Sequence, residues 1–159
     1  MGLGEFVLAR ALHVLGVVLW IGGVAFVTLV LLPGLRQHGA AGERMALFER
    51  LEGGFARQAR ATTLLTGLSG LWLVHQLHAW SRFADGRYWW MHAMVLVWLV
   101  FTLMLFVLEP WFLHRWFNAR AARDPQGTFR LLEGLHRFLL TVSLVTVAAA
   151  AAGSHGWMF

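Results

Sequence analysis

Residues 11–33 read ALHVLGVVLWIGGVAFVTLVLLP, an apolar run with no charged side chain and a single imidazole, His13. A helix rises about 1.5 Å per residue and bilayer hydrocarbon is about 30 Å thick, so about 20 such residues cross it. The run is long enough to span, and Pro33-Gly34 ends it. Three more segments of similar character follow, at 61–80, 88–108 and about 134–153. The second stops at Ser81-Arg82, the third meets a break or kink at Glu109-Pro110, and the fourth closes in five alanines and Gly153. The chain therefore reads as an all-α integral membrane protein, a bundle of four transmembrane helices in one membrane domain over 1–159. Expected helices run about 5–33, 61–80, 88–117 and 131–153.

Composition agrees. Of 159 residues, 58% are hydrophobic and only 13% charged, outside the range of a soluble domain of this length. Cysteine is absent, which excludes disulfides, thiolate-held iron–sulfur clusters and a covalently attached c-type heme. Any metal must then be held by His, Met, carboxylate or backbone. All 13 basic residues are Arg, clustered in loops, so the net charge of +5 does not come from a Lys-rich nucleic-acid-binding tail. The N-terminus lacks the basic start and small-residue cleavage site of a signal peptide, and the first helix is expected to remain in the mature protein.

Arginine also orients the bundle, because positive loops resist translocation. Nine lie at 34–60 and 109–130, against Arg10, Arg82 and Arg87 on the opposite side. Both termini and the 81–87 loop are expected outside a bacterial inner membrane. Within 40–60, AAGERMALFERLEGGFARQAR, the spacing of Met45, Phe48, Leu51 and Phe55 predicts an amphipathic helix on the cytoplasmic surface.

Small residues recur inside the spans: Gly16, Gly22, Gly23, Gly67, Gly70 and alanines 148–152. They serve close helix packing, or they open a flat cavity for a planar cofactor.

The histidines divide by depth. His38, His114 and His136 belong to the inner side, the first two solvated and His136 an interface residue beside Arg137. His13, His75, His78, His92 and His155 belong to the outer half. A lone imidazole there is commonly a satisfied core residue. His13, His75 and His92 come from three separate helices, and polar groups inside a membrane usually face a shared interior site. They are the first-choice metal ligands, with Met94 and His155 in reserve. His75 and His78 share a helix face, which suits one ligand and one interfacial partner. Arg10, one turn outward of His13, sits where a heme propionate would emerge, and a guanidinium grips a carboxylate through two hydrogen bonds. Arg82, Arg87 and His78 complete the expected cofactor-binding set. In Tyr88–Met94, YWWMHAM, the two tryptophans suit an interfacial aromatic belt. Met91 and Met94 suit gap-filling, Cu(I) ligation or, for a single Met, an axial heme position.

HVLGVVLWIGG in the first helix, RATTLLTGLSGLWLV in the second and YWWMHAMVLVWLV in the third together resemble the copper-resistance protein D superfamily. That group includes small four-helix proteins similar to the HemJ-type protoporphyrinogen oxidase. The resemblance implies a helical bundle with an outward-side metal or heme site. It matches His13 to the first-helix His and Trp90-Met91-His92-Ala93-Met94 to a third-helix W-x-H-x-K motif. Met94 stands where that motif has Lys, which argues against porphyrinogen oxidation and leaves heme binding in place. Copper-resistance D proteins usually have eight spans, and this chain resembles their C-terminal part.

The expected function is a membrane b-type heme protein passing electrons near the periplasmic face, with His axial ligands. The alternatives are copper binding or transport, using His92, Met91 and Met94 and also His155 with Met158, a HemJ-like oxidase, and a cofactor-free accessory subunit of a respiratory complex. Whether the chain is an enzyme stays open. Expected partners are the lipid bilayer and a redox partner or larger membrane complex, with homo-oligomerisation open and nucleic acid excluded.

Overall fold

The computed structural model describes residues 2–37 and 39–157. His38 and Met158, the latter a sequence-level companion for His155 in copper binding, lie outside the described residues. Every regular element described is helical. Helix α1 (Leu3–Phe26) passes through a π-helical turn (Val27–Leu31) into α2 (Leu32–Arg36). A short turn leads to α3 (Ala41–Gln76). Two 3-10 turns (Ala79–Ala84 and Gly86–Tyr88) lead to α4 (Trp89–Leu103), a π-helical stretch (Met104–Leu113) and α5 (His114–Arg123). Helix α6 (Pro125–Ser154) returns after Asp124, whose carboxylate accepts from the Gly127 N–H. These pieces make four long rods joined by short connections, the arrangement that places successive helices antiparallel. The start of α1 and the end of α6 lie at one end of the bundle, and most of the arginines lie at the other.

Pro33, expected with Gly34 to stop a helix, does not, and Pro110, expected at a break or kink within the 88–117 helix, lies inside a π-helical stretch. Pro33 and Pro110 each lack an N–H and crowd the preceding turn, and each lies in or just after a π-helical segment, whose wider turn absorbs the misfit. At Pro110 the missing donor is replaced. In π geometry residue 110 would donate to the Leu105 carbonyl, and the Arg60 Nε donates there instead, at 3.1 Å. The same guanidinium pairs with Glu109 at 3.1 Å.

The 40–60 segment is not a separate surface helix. It forms the first half of α3, continuous with the expected second span, because no Gly-Pro or turn signal intervenes near Ala59-Arg60-Ala61. Met45 and Phe48 are buried, and Phe48 packs with Val27, Leu32, Leu35, Phe129 and Leu132 at the arginine-rich end. A middle layer joins Trp20, Ile21, Val24, Phe101 and Leu140, with Trp20 edge-on to Phe101 at 4.9 Å. A third layer near the termini joins Trp90, Met91 and Ala149.

Among the described residues three helices are long and apolar enough to cross a membrane: Leu3–Arg36, Gly86–Leu113 and Pro125–Ser154. Their exposed faces are themselves apolar, as at Val18, Leu96 and Val145. Contiguous apolar surface of this kind suits lipid rather than water, consistent with an integral membrane protein. The second half of α3 is less apolar because Thr62, Thr63, Thr66 and Ser69 occupy its buried face. Three of these hydroxyls donate back to carbonyls one turn earlier: Thr62 to Gln58 at 2.9 Å, Thr66 to Thr62 at 2.8 Å and Ser69 to Leu65 at 2.5 Å. Small, internally satisfied side chains let α1 pack closely here.

Candidate functional site

His13 stands ten residues into α1, about 15 Å from its start at 1.5 Å per residue. Its partly buried imidazole lies in the α1–α3 interface. Nδ1 lies 3.0 Å from the Thr66 carbonyl oxygen and 3.3 Å from Ser69 Oγ. A carbonyl only accepts, so in neutral His13 the proton is on Nδ1 and the lone pair on Nε2. Metal-ligating histidines are oriented in this way, one nitrogen tied to a carbonyl and the other left for the metal. Gly70 gives the ring its room, since a Cβ at that position would lie 2.9 Å from His13 Cε1.

The other sequence-level ligands are placed differently. His75 lies one residue from the end of α3, outward of the Gly70 level that His13 occupies, so the two are not at equal depth. Its imidazole is exposed, and among the described residues no hydrogen bond ties it down. The exposed His92 imidazole uses Nε2 to reach the Phe83 carbonyl at 3.0 Å and stands edge-on to the Phe83 ring. That bond fastens the 3-10 loop over the first turn of α4 and occupies the outward nitrogen of His92. His155 is exposed and caps α6 through Nδ1 at the Ala151 carbonyl, 2.8 Å away. Met94 is half-buried against the Trp90–Met91–Ala149 layer, so packing accounts for both methionines. Among the described residues no three His, Asp or Glu side chains gather as a metal cluster.

The expected propionate partners also have places. Arg10 is exposed. The Arg82 guanidinium lies 5.2 Å from the centre of the Tyr88 ring. Arg87 holds Asp85 through Nε at 2.9 Å and a terminal nitrogen at 2.7 Å, which keeps the Asp85 carboxyl below its usual range. His78 has a positive φ of 49° and ends α3, with its N–H bonded to the His75 carbonyl. It acts through its backbone, in the left-handed conformation that Gly usually supplies.

The glycine recesses are filled by the protein itself. Gly67 faces the Trp98 indole, Gly153 the Trp90 indole and Gly23 the Phe55 ring. Trp98 Nε1 also donates to the Thr63 carbonyl at 2.9 Å. Close packing, rather than a flat cofactor slot, explains these positions. His136, expected at the interface, is half-buried against Phe48, its Nδ1 3.0 Å from the Leu132 carbonyl.

Three features escaped the sequence reading: the Thr66–Ser69 cradle of His13, the Arg60 link to Glu109 and the Leu105 carbonyl, and the Arg36–Glu133 pair at 3.1 Å around a buried carboxylate. The run of hydroxyls in ATTLLTGLS is the legible signal for the first; Glu109 and Glu133 read as paired surface carboxylates, but no sequence signal names their arginine partners, and Glu133 is buried. No family model, no curated protein and no solved structure matches this chain.

Proposed function

We propose that the chain is a b-type heme protein of a bacterial inner membrane, crossing it four times with both termini outside and passing electrons near the periplasmic face. The observation that carries this reading is the setting of His13, whose Nδ1 is tied to the Thr66 carbonyl so that Nε2 is left as a ligand. His13 would hold the heme iron through Nε2. A second imidazole would come from His75, which has no hydrogen bond among the described residues, or from His92 after release of its bond to Phe83. Bound heme supplies one-electron redox chemistry. The residues of the chain orient a ligand, exclude water and place Arg10 at the surface for a propionate. Support for the fourth crossing comes from Leu64, Leu68 and Leu71, which give the second half of α3 an apolar exposed face.

One set of observations favours a second reading, a cofactor-free accessory bundle. Trp98, Trp90 and Phe55 fill the glycine recesses, and His13 then clasps α1 to α3. Visible spectra of purified protein, oxidised and dithionite-reduced, with metal analysis, separate the readings. Heme gives a Soret band, a sharp α band on reduction and iron near one per chain. Stoichiometric copper without Soret absorption supports the copper-handling alternative, and absence of both supports the accessory bundle.

A further inference from the structure

At the arginine-rich end a cavity of about 170 Å³ is lined by Arg36, Arg44, Gln126, Phe129 and Arg130. Three elements build it: Arg36 closes α2, Arg44 lies in the first turn of α3, and the other three lie in the first two turns of α6. Phe129 is buried and gives the cavity an apolar wall.

The charges around this cavity do not balance. Arg36 pairs with the buried Glu133 at 3.1 Å, whereas among the described residues Arg44 and Arg130 have no ion-pair partner. Three guanidiniums against one carboxylate leave two positive charges beside a common space. Arg44 Nε is moreover shut away from solvent without a hydrogen-bond partner among the described residues. A buried donor left unmade is unfavourable, and so are adjacent like charges. One anion inside the cavity offsets the like charges that line it.

We propose that this cavity binds a phosphate group, with Arg44 and Arg130 donating to its oxygens and the Gln126 amide beside them. Planar guanidinium forks match phosphate oxygens in pairs, and the cavity has room for a tetrahedral oxyanion. The ligand is the phosphate of an anionic lipid headgroup or a soluble phosphate, which share this chemistry. The site is separate from His13 and holds whether or not the chain carries heme.

The test uses the full chain in detergent, with phosphatidylglycerol, phosphatidylcholine and inorganic phosphate as probes. Retained lipid is read by native mass spectrometry and phosphate binding by the shift in melting temperature. Wild-type protein retains phosphatidylglycerol about tenfold better than phosphatidylcholine, a preference of the size one strong charged contact gives. Arg44→Gln and Arg130→Gln abolish that preference, while Arg50→Gln, exposed on α3 and outside the cavity, keeps it. Protection by inorganic phosphate in wild type but in neither cavity variant, with no lipid preference, upholds the site and identifies the soluble source. Should Arg44→Gln fail to fold, the exposed Arg130 supplies the deciding variant. If wild type and Arg130→Gln bind every probe alike, the proposal is overturned.

Discussion

Gly67 and Gly22 look equivalent in the sequence, each a small residue inside an apolar span, yet their surroundings differ completely. A Cβ at Gly67 would lie 2.5 Å from three atoms of the Trp98 indole, whereas nothing lies within 4 Å of one at Gly22. Gly67→Ala is therefore expected to lower stability by about 1–3 kcal/mol, the usual cost of overpacking, and Gly22→Ala to leave it unchanged. Thermal melting of both variants in one detergent checks this; equal melting temperatures would remove the packing role given to Gly67. The histidines teach the same lesson. His13 was legible as special because an imidazole deep in an apolar run demands a partner. That His92 uses its outward nitrogen on a loop carbonyl, and that His78 serves as a left-handed helix end, depends on backbone geometry that residue type alone does not carry.

At the scale of elements, length and hydropathy located the rods but not their ends. Pro33-Gly34 reads as a stop and Glu109-Pro110 as a break or kink within a longer helix, because a proline inside an α-helix normally costs a hydrogen bond. The π-helical turns, together with Arg60 at the orphaned Leu105 carbonyl, carry the rods past both. The apolar stripe of 40–60 is helical as its spacing predicts, but its burial partners lie on the π-helical turn after α1, on α2 and on α6, which no local pattern reveals. This part of α3 also carries a titratable group. The Glu52 carboxyl is pushed up from 4.5 to about 7, first by burial and then by the nearby Glu109 and Glu49. The folded state thus holds a proton that the unfolded state has released. The stabilisation is full below about pH 4.5 and is lost as pH rises through about 7. Melting temperature should fall across that interval in wild type, and Glu52→Gln should flatten the fall. A variant profile that retains the wild-type slope would show that Glu52 is not the group responsible.

For the whole molecule, the sequence made the helical class and the apolar exterior plain, since both follow from composition and period. The helix partnerships and the cradle of His13 were not legible, because they depend on which faces meet. The proposed topology rests on the arginine distribution. In spheroplasts an impermeant thiol reagent should label Ala84→Cys and spare Ala40→Cys, a clean comparison in a chain with no native cysteine. The reverse pattern would invert the bundle. The central claim, that His13 is an axial heme ligand, is tested most directly by the reduced-minus-oxidised spectrum and heme content of wild type and His13→Ala, with melting used to confirm that the variant is folded. The account predicts that the folded variant loses its heme, or keeps a small remnant with an altered α band. A folded His13→Ala protein with full heme and an unchanged low-spin spectrum would contradict it.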